Sequence, residues 1–465
     1  MKKTKIIATV GPACSSQAVL AKMHRAGMNA VRINVAHGTF EEYDAYLEAV
    51  RAVGEIPIIV DIKGPEVRVR CSKPLAFKAG EFFEAGFAPH HDPYFTYNFL
   101  RDVKVGDRVL FNNGLFETQI LEKKHDSVVL LANVDGIIED RKGVNIPGAR
   151  LKPPELSPKD RKAIEWARKN EVEFIALSFT RSADDVRRLR SLLKYNAAIL
   201  AKIENQEGVS NMDDIIRAAD GVIVARGDLG VELPHAKIPM IQKRILQRCN
   251  EHAKLAITAT QMLESMITNP TPTRAETSDV ANAIFDGSDA LMLSGETAVG
   301  RYPVKAVEAI AAIAREVEPF VLPTAKPGVG GGLARAVSTA ASHILSDIAI
   351  TKVVCITRTG YSARAVSAFK PKQEILAVTT EPLVKRQLEL SYGVTPFHCP
   401  ELISGDRIIT AAKFLLDKEV LLPSDRVVFI AAFHTLRMHE SNLIEVHDIA
   451  ELKDFFSHRE VVQNL

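Results

Sequence analysis

The stretch AILAKIENQEG, residues 198–208, joins a short apolar run to a lysine and a carboxylate. Residues two apart on a β-strand point to the same face, so we predict that Lys202 and Glu204 share one site at the end of a buried strand. A local ion pair is the simplest alternative, and at a protein surface such a pair stabilises by only about 0–1 kcal/mol. The stretch by itself leaves both interpretations open.

Other apolar runs of the chain end in polar residues in the same manner, and amphipathic helical patterns separate most of them. Strands that alternate with helices predict parallel pairing through right-handed crossovers. Eight such strands match a (β/α)8 barrel of the TIM type, whereas the alternative, a doubly wound open sheet, does not require eight. The runs are residues 5–12, 30–38, 56–64, 174–180, 197–205, 221–230, 255–263 and 290–298.

Two regions depart from this rhythm. Residues 67–149 alternate apolar and polar positions with Asn-Gly and Gly-Asp turns, which predicts a small inserted β-barrel domain. Its position after the third strand places it at the barrel mouth, where it would act as a lid. Residues 323–332 are rich in Pro and Gly and indicate a linker. We therefore predict an α/β protein with a catalytic barrel (1–66 and 150–325), the lid, and a C-terminal α/β regulatory domain (333–465).

The bulk composition excludes several classes of protein. The chain has 465 residues, of which 46% are hydrophobic and 25% charged, as in ordinary soluble globular proteins of several domains. Lys and Arg number 59 against 57 Asp and Glu, so the formal charge of +2 gives no reason to expect a nucleic-acid or membrane partner. The five cysteines are scattered, and no apolar run approaches a membrane span. We predict a cytoplasmic location.

Polar residues at the ends of the predicted strands form the candidate site. In a (β/α)8 barrel the site lies where the carboxyl ends of the strands meet, so these residues are predicted to converge. Strands often end in polar loops, but here cationic, acidic and hydroxyl side chains complement one another chemically. The residues are Arg32, Asn34, His37, Asp61, Lys63, Ser178, Lys202, Glu204, Arg226, Asp228, Thr260, Ser294 and Glu296.

Two groups among them suggest a metal and an anion. Glu204 and Asp228, on adjacent predicted strands, suit a hard divalent cation such as Mg²⁺, and Lys202 can neutralise anionic charge beside it. An ion-pair network is the alternative for the same residues. The backbone amides of ARGDLG, residues 225–230, suit a carboxylate or phosphate, although a tight turn explains the same glycines.

Further residues suggest phosphate and monovalent-cation sites. Arg32 and Arg68 suit a phosphate clamp. Asn34 and Asp61, with nearby carbonyls, offer an all-oxygen site for a monovalent cation, and His37 could contact a phosphate or cap its loop. Taken singly, each of these residues is more often structural.

Several motifs occur along the chain in a fixed order. They are TKIIATVGPAC, GMNAVRINVAHG, DIKGPEVR, KGVNIPG, AKIENQEGV, DGVIVARGDLGVELP and ATQMLESM, with PTPTRAETSDVANAIFDGSDALMLSGETAVGRYP after them. Together they closely resemble the pyruvate kinase family, over essentially the whole chain, and residues 259–303 are the most specific part. The resemblance implies an enzyme of the last step of glycolysis, which transfers the phosphoryl group of phosphoenolpyruvate to ADP and yields pyruvate and ATP. It also implies a homotetramer.

The resemblance assigns roles at the charged centre. It implies that Glu204 and Asp228 bind Mg²⁺, or Mn²⁺ in its place. It further implies that Lys202 stabilises the transferring phosphoryl group and the enolate, and that Arg32 contacts the same phosphoryl group. The implied fold of barrel, inserted lid and C-terminal regulatory domain agrees with the one predicted from the strand pattern.

The resemblance also assigns residues to the substrates and to K⁺. The amides of Gly227 and Asp228, with Thr260, match the site for the carboxylate of phosphoenolpyruvate or pyruvate, and Thr260 matches a residue near the enolate carbon that takes a proton. The matched nucleotide-phosphate contacts are Arg32, His37, Arg68 and Lys142, and the matched K⁺ ligands are Asn34, Asp61 and the carbonyl of Ile62.

Two departures from the family pattern affect the barrel mouth and the lid. Ala36 stands where the family usually has a serine at the K⁺ site, but Glu66 is the residue that accompanies K⁺ dependence in this family, so we predict that K⁺ still activates. Asn112 and Asn113 replace an Asp-Asp pair in a lid turn, which keeps the turn chemistry but removes two negative charges.

The third departure lies in the C-terminal domain. TRTGYSA, residues 357–363, resembles the family's effector-phosphate loop, and we predict that Thr357, Arg358, Thr359, Gly360 and Ser362 bind an effector. A capped helix start is the alternative. The second half of the usual bisphosphate site is replaced by residues 431–442, which are poor in Gly. A monophosphate, either a sugar phosphate or a nucleotide such as AMP, therefore fits better than a bisphosphate.

Two other functions are compatible with parts of the pattern. A Mg²⁺-enolate lyase or aldolase on the same barrel would also use paired carboxylates and an arginine, but it would lack the lid and the run TQMLESM. A catalytically silent homologue could sense metabolites through its C-terminal domain. The intact set of Lys202, Glu204, Asp228, Arg32 and Thr260 argues against a silent protein.

Overall fold

The computed structural model describes residues 2–64, 66–149, 151, 156–323, 332–403, 407–432 and 441–453. Most of the predicted linker, residues 323–332, and most of the Gly-poor stretch 431–442 lie outside the described residues. Within the described residues, no helix has both the length and the apolar character that crossing a bilayer requires.

The chain begins with the first βα units of the barrel. They are β1 (Lys5–Thr9), α1 (Gln17–Ala26), β2 (Ala30–Asn34), α2 (Phe40–Val53) and β3 (Ile58–Ile62). Helix α2 begins at a capping box, in which the Thr39 hydroxyl accepts from the Glu42 amide and the Glu42 carboxylate accepts from the Thr39 amide. Such a box satisfies amides that the first helical turn leaves unpaired, so the helix starts at a defined residue.

An inserted β-domain follows β3. Its strands pair mainly antiparallel in the order β12-β8-β9-β10-β6-β7-β4, with a separate β11-β5 pair. The strands are β4 (Val69–Arg70), β5 (Leu75–Phe77), β6 (Phe82–Gly86), β7 (Tyr94–Phe95), β8 (Arg108–Phe111), β9 (Phe116–Lys123), β10 (Ser127–Ala132), β11 (Gly136–Ile138) and β12 (Val144–Asn145).

Aromatic side chains fill the interior of this domain. The rings of Phe83, Phe111 and Phe116 lie within 5.6–6.5 Å of one another, centroid to centroid. The turn between β8 and β9 holds Asn112 and Asn113 at φ values of 50° and 56°, a region that Asn enters more readily than most residues. The two asparagines thus adopt the backbone conformation that the turn requires, and they add no charge to it.

The remaining barrel units follow the lid. Their strands are β13 (Phe174–Leu177), β14 (Ala198–Ile203), β15 (Gly221–Ala225), β16 (Leu255–Ala259) and β17 (Ala290–Leu293). Their helices are α3 (Pro158–Lys169), α4 (Ala183–Leu193), α5 (Gln206–Ser210), α6 (Met212–Ala218), α7 (Arg226–Glu232), α8 (Ile238–Glu251), α9 (Arg274–Phe285), α10 (Gly295–Ala298) and α11 (Pro303–Val317), with 3-10 turns at His235–Lys237, Glu264–Ile267 and Glu318–Phe320.

In the part of the chain that the structure describes, the strands close into an eight-stranded parallel barrel, in the order β1-β17-β16-β15-β14-β13-β3-β2. This barrel, with the C-terminal domain described below, confirms the predicted fold class. The strands are buried on both faces, as parallel barrel strands must be: Ile7 and Ile59 point into the barrel, whereas Ile6 and Val60 pack against the helices.

Several predicted runs are longer than the strands they contain. The run 221–230 comprises β15 and the first part of α7, and the run 290–298 comprises β17 and α10. The apolar pattern continues past the strand ends because the first helical residues are themselves buried, as Leu229 is. Hydrophobicity therefore identified the strands but not the residues at which they end.

The C-terminal domain is a second α/β unit. Its strands lie in the order β20-β19-β18-β21-β22, parallel except for β22. The elements are α12 (Leu333–Asp347), β18 (Lys352–Ile356), α13 (Tyr361–Ser367), β19 (Glu374–Thr379), α14 (Pro382–Leu388), β20 (Val394–His398), a 3-10 turn (Pro400–Ile403), α15 (Arg407–Asp417), β21 (Arg426–Ala431) and β22 (Leu443–Asp448). The sequence pattern did not predict β20, whose Pro396 is tolerated because β20 is an edge strand.

A buried ion pair joins this domain to the barrel. Lys370 Nζ lies 2.5 Å from the carboxylate of Asp289, at the start of β17, and both side chains are almost fully buried. The Lys370 ammonium also lies 4.8 Å from the centre of the Tyr392 ring. A second pair, the partly buried Lys385 with the exposed Glu55, links the same two parts of the molecule at 2.6 Å.

We expect Lys370→Met to lower the free energy of unfolding by about 3 kcal/mol, because it leaves the Asp289 carboxylate buried without its countercharge. Urea unfolding followed by fluorescence and circular dichroism measures the change. The matched control is Lys385→Met, which removes an ion pair with an exposed partner and is expected to cost about 0–1 kcal/mol. Equal effects of the two variants would contradict the role given to the buried pair.

Candidate active site

Lys202 is the centre of a buried ionic cluster at the mouth of the barrel. Its Nζ lies 2.8 Å from Glu204 Oε1 and 3.2 Å from Asp61 Oδ2, and it donates to Ser178 Oγ at 2.8 Å. Lys202 and Glu204 share a face because they are two residues apart at the end of β14. Burial disfavours the ammonium, but Asp61 and Glu204 outweigh that effect and raise the pKa of Lys202 above its usual value.

Arg32 joins the cluster from β2. Its Nε donates to Asp61 Oδ2 at 2.7 Å, and its Nη1 donates to Thr9 Oγ1 at 3.0 Å. Asp61 also accepts from the Ser178 hydroxyl at 3.0 Å. Burial alone would raise the pKa of Asp61, but Lys202 and Arg32 hold it below its usual value. Asp61 is thus an ionised anchor that orients both cations of the mouth.

Glu204 and Asp228 form the acidic part of the cluster. Glu204 follows β14 and accepts from the Phe179 amide at 2.7 Å, while Asp228 lies in the first turn of α7, after the neighbouring strand β15. Burial raises the pKa of Glu204 to about 7; Lys202 opposes the rise, and the charge of Asp228 adds to it. Burial also raises the pKa of Asp228.

These two carboxylates fit a divalent cation. Each is destabilised as an anion by burial and by other carboxylates nearby, so a bound cation would replace the proton that each tends to retain. Carboxylate oxygens are also the donor type that Mg²⁺ and Mn²⁺ take from proteins. The donor set therefore suits such an ion.

Thr260 and Gly227 meet beside the acidic pair. Thr260 follows β16 with φ at 66°, and its hydroxyl donates to the Ala259 carbonyl at 2.6 Å while it accepts from the Gly227 amide at 2.8 Å. The Gly227 amide, which the resemblance assigns to a substrate carboxylate, is therefore bonded to Thr260. A carboxylate would bind it only by exchanging with the hydroxyl.

Arg226 holds this loop in place, a role that its sequence pattern did not predict. Its Nη2 donates to the carbonyls of Thr260 at 2.8 Å and Gln261 at 3.0 Å, and its Nη1 pairs with Asp279 at 2.6 Å. Thr260 and Gln261 both have positive φ, which costs a non-glycine residue about 1–2 kcal/mol. The forked guanidinium offsets that strain by bonding two successive carbonyls.

We expect Arg226→Lys to lower catalytic efficiency by roughly tenfold, since a single ammonium cannot bond the two carbonyls and Asp279 in the fixed geometry of a guanidinium, and a 1 Å misplacement of a catalytic group can cost about 100-fold. Steady-state kinetics at saturating metal measure the loss. Asp279→Asn is the matched control. It leaves the guanidinium bonded to the carbonyls of Thr260 and Gln261, so catalytic efficiency should fall less. The metal concentration for half-maximal activity should not change; a change in that value would show that Arg226 acts on the metal instead.

Glu66 links the mouth to the lid. Its Oε2 lies 2.6 Å from Arg68 Nη2 and 3.5 Å from Lys63 Nζ. Burial raises the pKa of Glu66 to about 7, and the charge of Glu204 contributes. On the lid, Asn145 Nδ2 donates to Glu232 Oε1 at 3.1 Å, which ties β12 to the end of α7. The inserted domain is thus bonded to the barrel mouth at two points, through Glu66 and through Asn145.

The residues assigned to nucleotide phosphates lie around this entrance. Arg32 and Arg68 are bonded to carboxylates, as described. Lys142 pairs with Glu139 at 3.3 Å on the lid surface, and His37 is exposed, its carbonyl accepting from the Tyr43 hydroxyl. The four residues are therefore distributed between the barrel rim and the lid.

The residues assigned to K⁺ lie on adjacent strands. Asn34 and Asp61 are register partners on β2 and β3, and the Ile62 carbonyl accepts from the Ser178 amide at 3.2 Å. Asn34 Oδ1 accepts from the Ala36 amide at 3.1 Å. The Asp61 carboxylate already pairs with Arg32 and Lys202 and accepts a hydrogen bond from Ser178. A K⁺ ion would therefore bind a carboxylate whose charge is already neutralised.

The assigned effector residues lie at the other end of the barrel from the mouth. The loop between β18 and α13 is closed by a hydrogen bond of 3.0 Å from the Gly360 amide to Thr357 Oγ1. Arg358 and Thr359 are exposed, and Ser362 is buried. Residues 433–440, which would form the facing half of such a site, are outside the described residues.

Comparison with known proteins identifies the family. The family model "Pyruvate kinase, barrel domain" matches residues 1–307, and "Pyruvate kinase, alpha/beta domain" matches residues 335–447. The pyruvate kinase of Geobacillus stearothermophilus is 38% identical, and that of Staphylococcus aureus 36%; each alignment covers 97% of this chain and 81% of the relative.

A solved structure gives the same result. The crystal structure of a pyruvate kinase from Cryptosporidium parvum superposes with a TM-score of 0.88 at 32% sequence identity, over 96% of each chain. The family models and the relatives name the same family, and the solved structure has the same fold as this chain. The chain belongs to the pyruvate kinase family.

Proposed function

We propose that the ionic cluster at the barrel mouth transfers the phosphoryl group of phosphoenolpyruvate to the terminal phosphate oxygen of ADP, which gives ATP and, after protonation of the enolate, pyruvate. The observation that carries the proposal is the convergence of Lys202 with Glu204 and Asp61 in a buried site. Phosphoryl transfer brings several anionic oxygens together, so its catalysis depends on positioning and on opposing charge.

Glu204 and Asp228 are the residues that would hold Mg²⁺ or Mn²⁺. The metal supplies positive charge that neutralises phosphate and enolate oxygens. Their raised pKa values and their oxygen donors support this assignment. The Phe179 amide, which bonds Glu204 Oε2, keeps that carboxylate turned toward the mouth.

Lys202 and Arg32 meet the negative charge that develops during transfer. Both are buried and held by Asp61, so they need little reorganisation when the substrate binds. Lys202 is suited to the bridging oxygen, which becomes the enolate oxygen when its bond to phosphorus breaks. Arg32 is suited to the transferring phosphoryl oxygens, to which a forked guanidinium can donate more than one hydrogen bond.

Thr260 is suited to delivering a proton to the enolate carbon through water. Its hydroxyl has both a donor and an acceptor bond in the resting site, so it must release the Ala259 carbonyl in order to donate elsewhere. With Gly227 and Asp228 it would also bind the substrate carboxylate. An uncharged hydroxyl fits a relay better than it fits a strong base.

The nucleotide would bind between the barrel rim and the lid, where Arg32, His37, Arg68 and Lys142 are its candidate phosphate contacts. Closure of the lid would exclude water, which otherwise competes with ADP for the phosphoryl group. The asparagines of the lid turn give that turn no negative charge toward a metal-bound nucleotide.

We expect K⁺ to activate the enzyme through Asn34, Asp61 and the Ile62 carbonyl, despite Ala36. Replacing K⁺ with tetramethylammonium at constant ionic strength should lower kcat by about tenfold, equivalent to about 1.4 kcal/mol of lost charge stabilisation. Initial rates at saturating substrates measure the effect. Unchanged activity in the bulky cation would contradict a K⁺ site.

The proposal is tested by initial rates of pyruvate formation from phosphoenolpyruvate with and without ADP. We expect pyruvate only when ADP and Mg²⁺ are both present. Pyruvate and inorganic phosphate formed without ADP would show that water, and not ADP, accepts the phosphoryl group. No turnover under any condition would favour the lyase or the silent homologue.

A regulatory role of the C-terminal domain rests on the loop that contains Thr357, Arg358, Thr359, Gly360 and Ser362. Its hydroxyls and its glycine-containing turn suit a monophosphate effector, either a sugar phosphate or a nucleotide such as AMP. A homotetramer and a cytoplasmic location stay predictions from the family resemblance and the composition.

A further inference from the structure

Two histidines and an aspartate meet at one edge of the inserted β-domain. His90 and His91 lie in the loop between β6 and β7, and Asp126 lies in the turn between β9 and β10. Nε2 of His90 and Nε2 of His91 lie 3.1 and 3.2 Å from the same oxygen, Oδ2 of Asp126, and one ligand atom of each residue lies within 4.8 Å of those of the other two. The two imidazole rings lie side by side, with their centroids 4.3 Å apart. We call these three residues the lid triad.

The β-sheet fixes the distance between the loop and the turn that carry the lid triad. Strands β6 and β10 pair antiparallel as far as the register partners Gly86 and Ser127, which lie directly before the loop and directly after the turn. Beyond this pair, the Phe87 amide donates to the Asp126 carbonyl at 3.2 Å. The three side chains therefore project from a backbone that is already held in place, as a preorganised binding site requires.

Gly86 leaves the space that the His91 ring occupies. A Cβ on Gly86 would lie 2.0 Å from His91 Cδ2, so any larger residue at this position would displace the ring. The His91 amide donates to the Ala88 carbonyl at 3.0 Å, which turns the loop back over the end of β6. The His91 side chain is largely covered, whereas that of His90 is exposed and that of Asp126 is half-exposed. One ring is thus fixed by packing, and an ion in solution can reach the triad.

The atoms of the lid triad select a class of metal ion. Imidazole nitrogens suit Zn²⁺, Cu²⁺ and Ni²⁺, whereas Mg²⁺ and Mn²⁺ take carboxylate, carbonyl and water oxygens. Two histidines and one carboxylate form a known set of three protein ligands for Zn²⁺, with the fourth position left to water. At metal–ligand distances of about 2.0–2.1 Å, neighbouring ligand atoms of a tetrahedral ion lie about 3.3 Å apart. The nitrogen–oxygen distances of the triad, 3.1 and 3.2 Å, are close to that spacing.

We propose that the lid triad binds a divalent ion of the zinc class through the Nε2 atoms of His90 and His91 and a carboxylate oxygen of Asp126. The bound ion joins the loop between β6 and β7 to the turn between β9 and β10. Hydrogen bonds from the rings to the carboxylate are the alternative, but exposed pairs of this kind stabilise by only about 0–1 kcal/mol and give no reason for two rings to share one oxygen. The site is independent of the proposed phosphoryl transfer, and its metal differs in class from that of Glu204 and Asp228.

Isothermal titration calorimetry of the full chain with zinc chloride tests the proposal. The protein carries no polyhistidine tag, and an excess of Mg²⁺ occupies the carboxylates of the barrel mouth throughout. We expect one zinc ion to bind per chain. Asp126→Asn and His90→Ala should each weaken its binding by at least about tenfold, since even the loss of a group that only supports a metal ligand costs that much. Zinc affinity that is the same in these variants as in the wild type, or no zinc binding at all, would overturn the proposal.

His125→Ala is the matched control for the titration. His125 is an exposed histidine directly before Asp126, and in the described structure it is not one of the converging ligands. Its removal should change zinc affinity by no more than about twofold, as expected of a surface substitution away from the site. A larger loss of affinity in His125→Ala than in His90→Ala would show that a different set of ligands holds the ion, and it would overturn the assignment.

Electron paramagnetic resonance of bound Cu²⁺, used in place of zinc, identifies the ligands directly. We expect coupling of the copper signal to two imidazole nitrogens in the wild type and to one in His90→Ala; coupling that the substitution leaves unchanged would contradict the site. Pyruvate formation in Mg²⁺ and K⁺ without zinc should agree within about twofold between His90→Ala and the wild type, which also shows that the variant is folded. Failure of the lid triad to bind metal would therefore leave the proposed phosphoryl transfer unaffected.

Discussion

Lys202→Met is expected to lower kcat by about 10³-fold, the upper range for removing one preorganised charge that meets an oxyanion. The substitution keeps the length of the side chain but removes the ammonium that lies between Glu204, Asp61 and Ser178. The metal concentration for half-maximal activity should not rise, because both candidate metal carboxylates remain. Steady-state rates as a function of Mg²⁺ separate the two quantities.

Lys63→Met is the control for this prediction. Lys63 is another lysine of the mouth, but it is more exposed, and its nearest carboxylate is Glu66 at 3.5 Å. Its removal should lower kcat far less. Circular dichroism of both variants checks that they fold, because Lys202→Met leaves Asp61 and Glu204 with one countercharge fewer. Comparable kcat losses in the two variants would contradict a specific role of Lys202.

Glu204→Gln is expected to weaken Mg²⁺ or Mn²⁺ binding on the order of 100-fold. Removing a residue that only supports a metal ligand can already cost that much affinity, and Glu204 is a candidate ligand itself. The glutamine has the same shape and can still accept from the Phe179 amide, so the change is mainly one of charge. Binding of Mn²⁺, followed by its electron paramagnetic resonance signal, measures the affinity without turnover.

Glu66→Gln is the matched control for the metal prediction. Burial raises the pKa of both Glu66 and Glu204 to about 7, but Glu66 is neutralised by Arg68 at 2.6 Å. Its charge acts on the two candidate metal ligands without being one of them, so its replacement should weaken Mn²⁺ binding far less than Glu204→Gln does. If instead Lys202→Met and Glu204→Gln weakened the metal equally, the pair would be a structural ion pair and not a metal ligand beside a catalytic charge.

The barrel could be predicted from the sequence because its signals are local and periodic. Each strand is a buried apolar run, and a period of two places Lys202 and Glu204 on one face. The edge strand β20 escaped prediction because Pro396 argues against a strand unless its partners are known. The ends of β15 and β17 were misjudged because buried helical residues extend the apolar pattern beyond them.

Other features of the site depend on tertiary contacts that no local pattern records. Arg226 bonds the carbonyls of Thr260 and Gln261, and backbone acceptors have no sequence signature. A positive φ at two successive non-glycine residues would have been the signal, but it is visible only in three dimensions. The buried pair of Lys370 with Asp289 crosses the boundary between the two domains, a juxtaposition that the order of the chain does not reveal.

The central claim is that the ionic cluster around Lys202 moves a phosphoryl group from phosphoenolpyruvate to ADP. ³¹P nuclear magnetic resonance of one sample containing the protein, both substrates, Mg²⁺ and K⁺ tests it most directly. The predicted result is loss of the phosphoenolpyruvate and ADP resonances with equal growth of the three ATP resonances, at a rate about 10³-fold lower in Lys202→Met. Growth of inorganic phosphate without ATP, or equal rates in the two proteins, would contradict the claim.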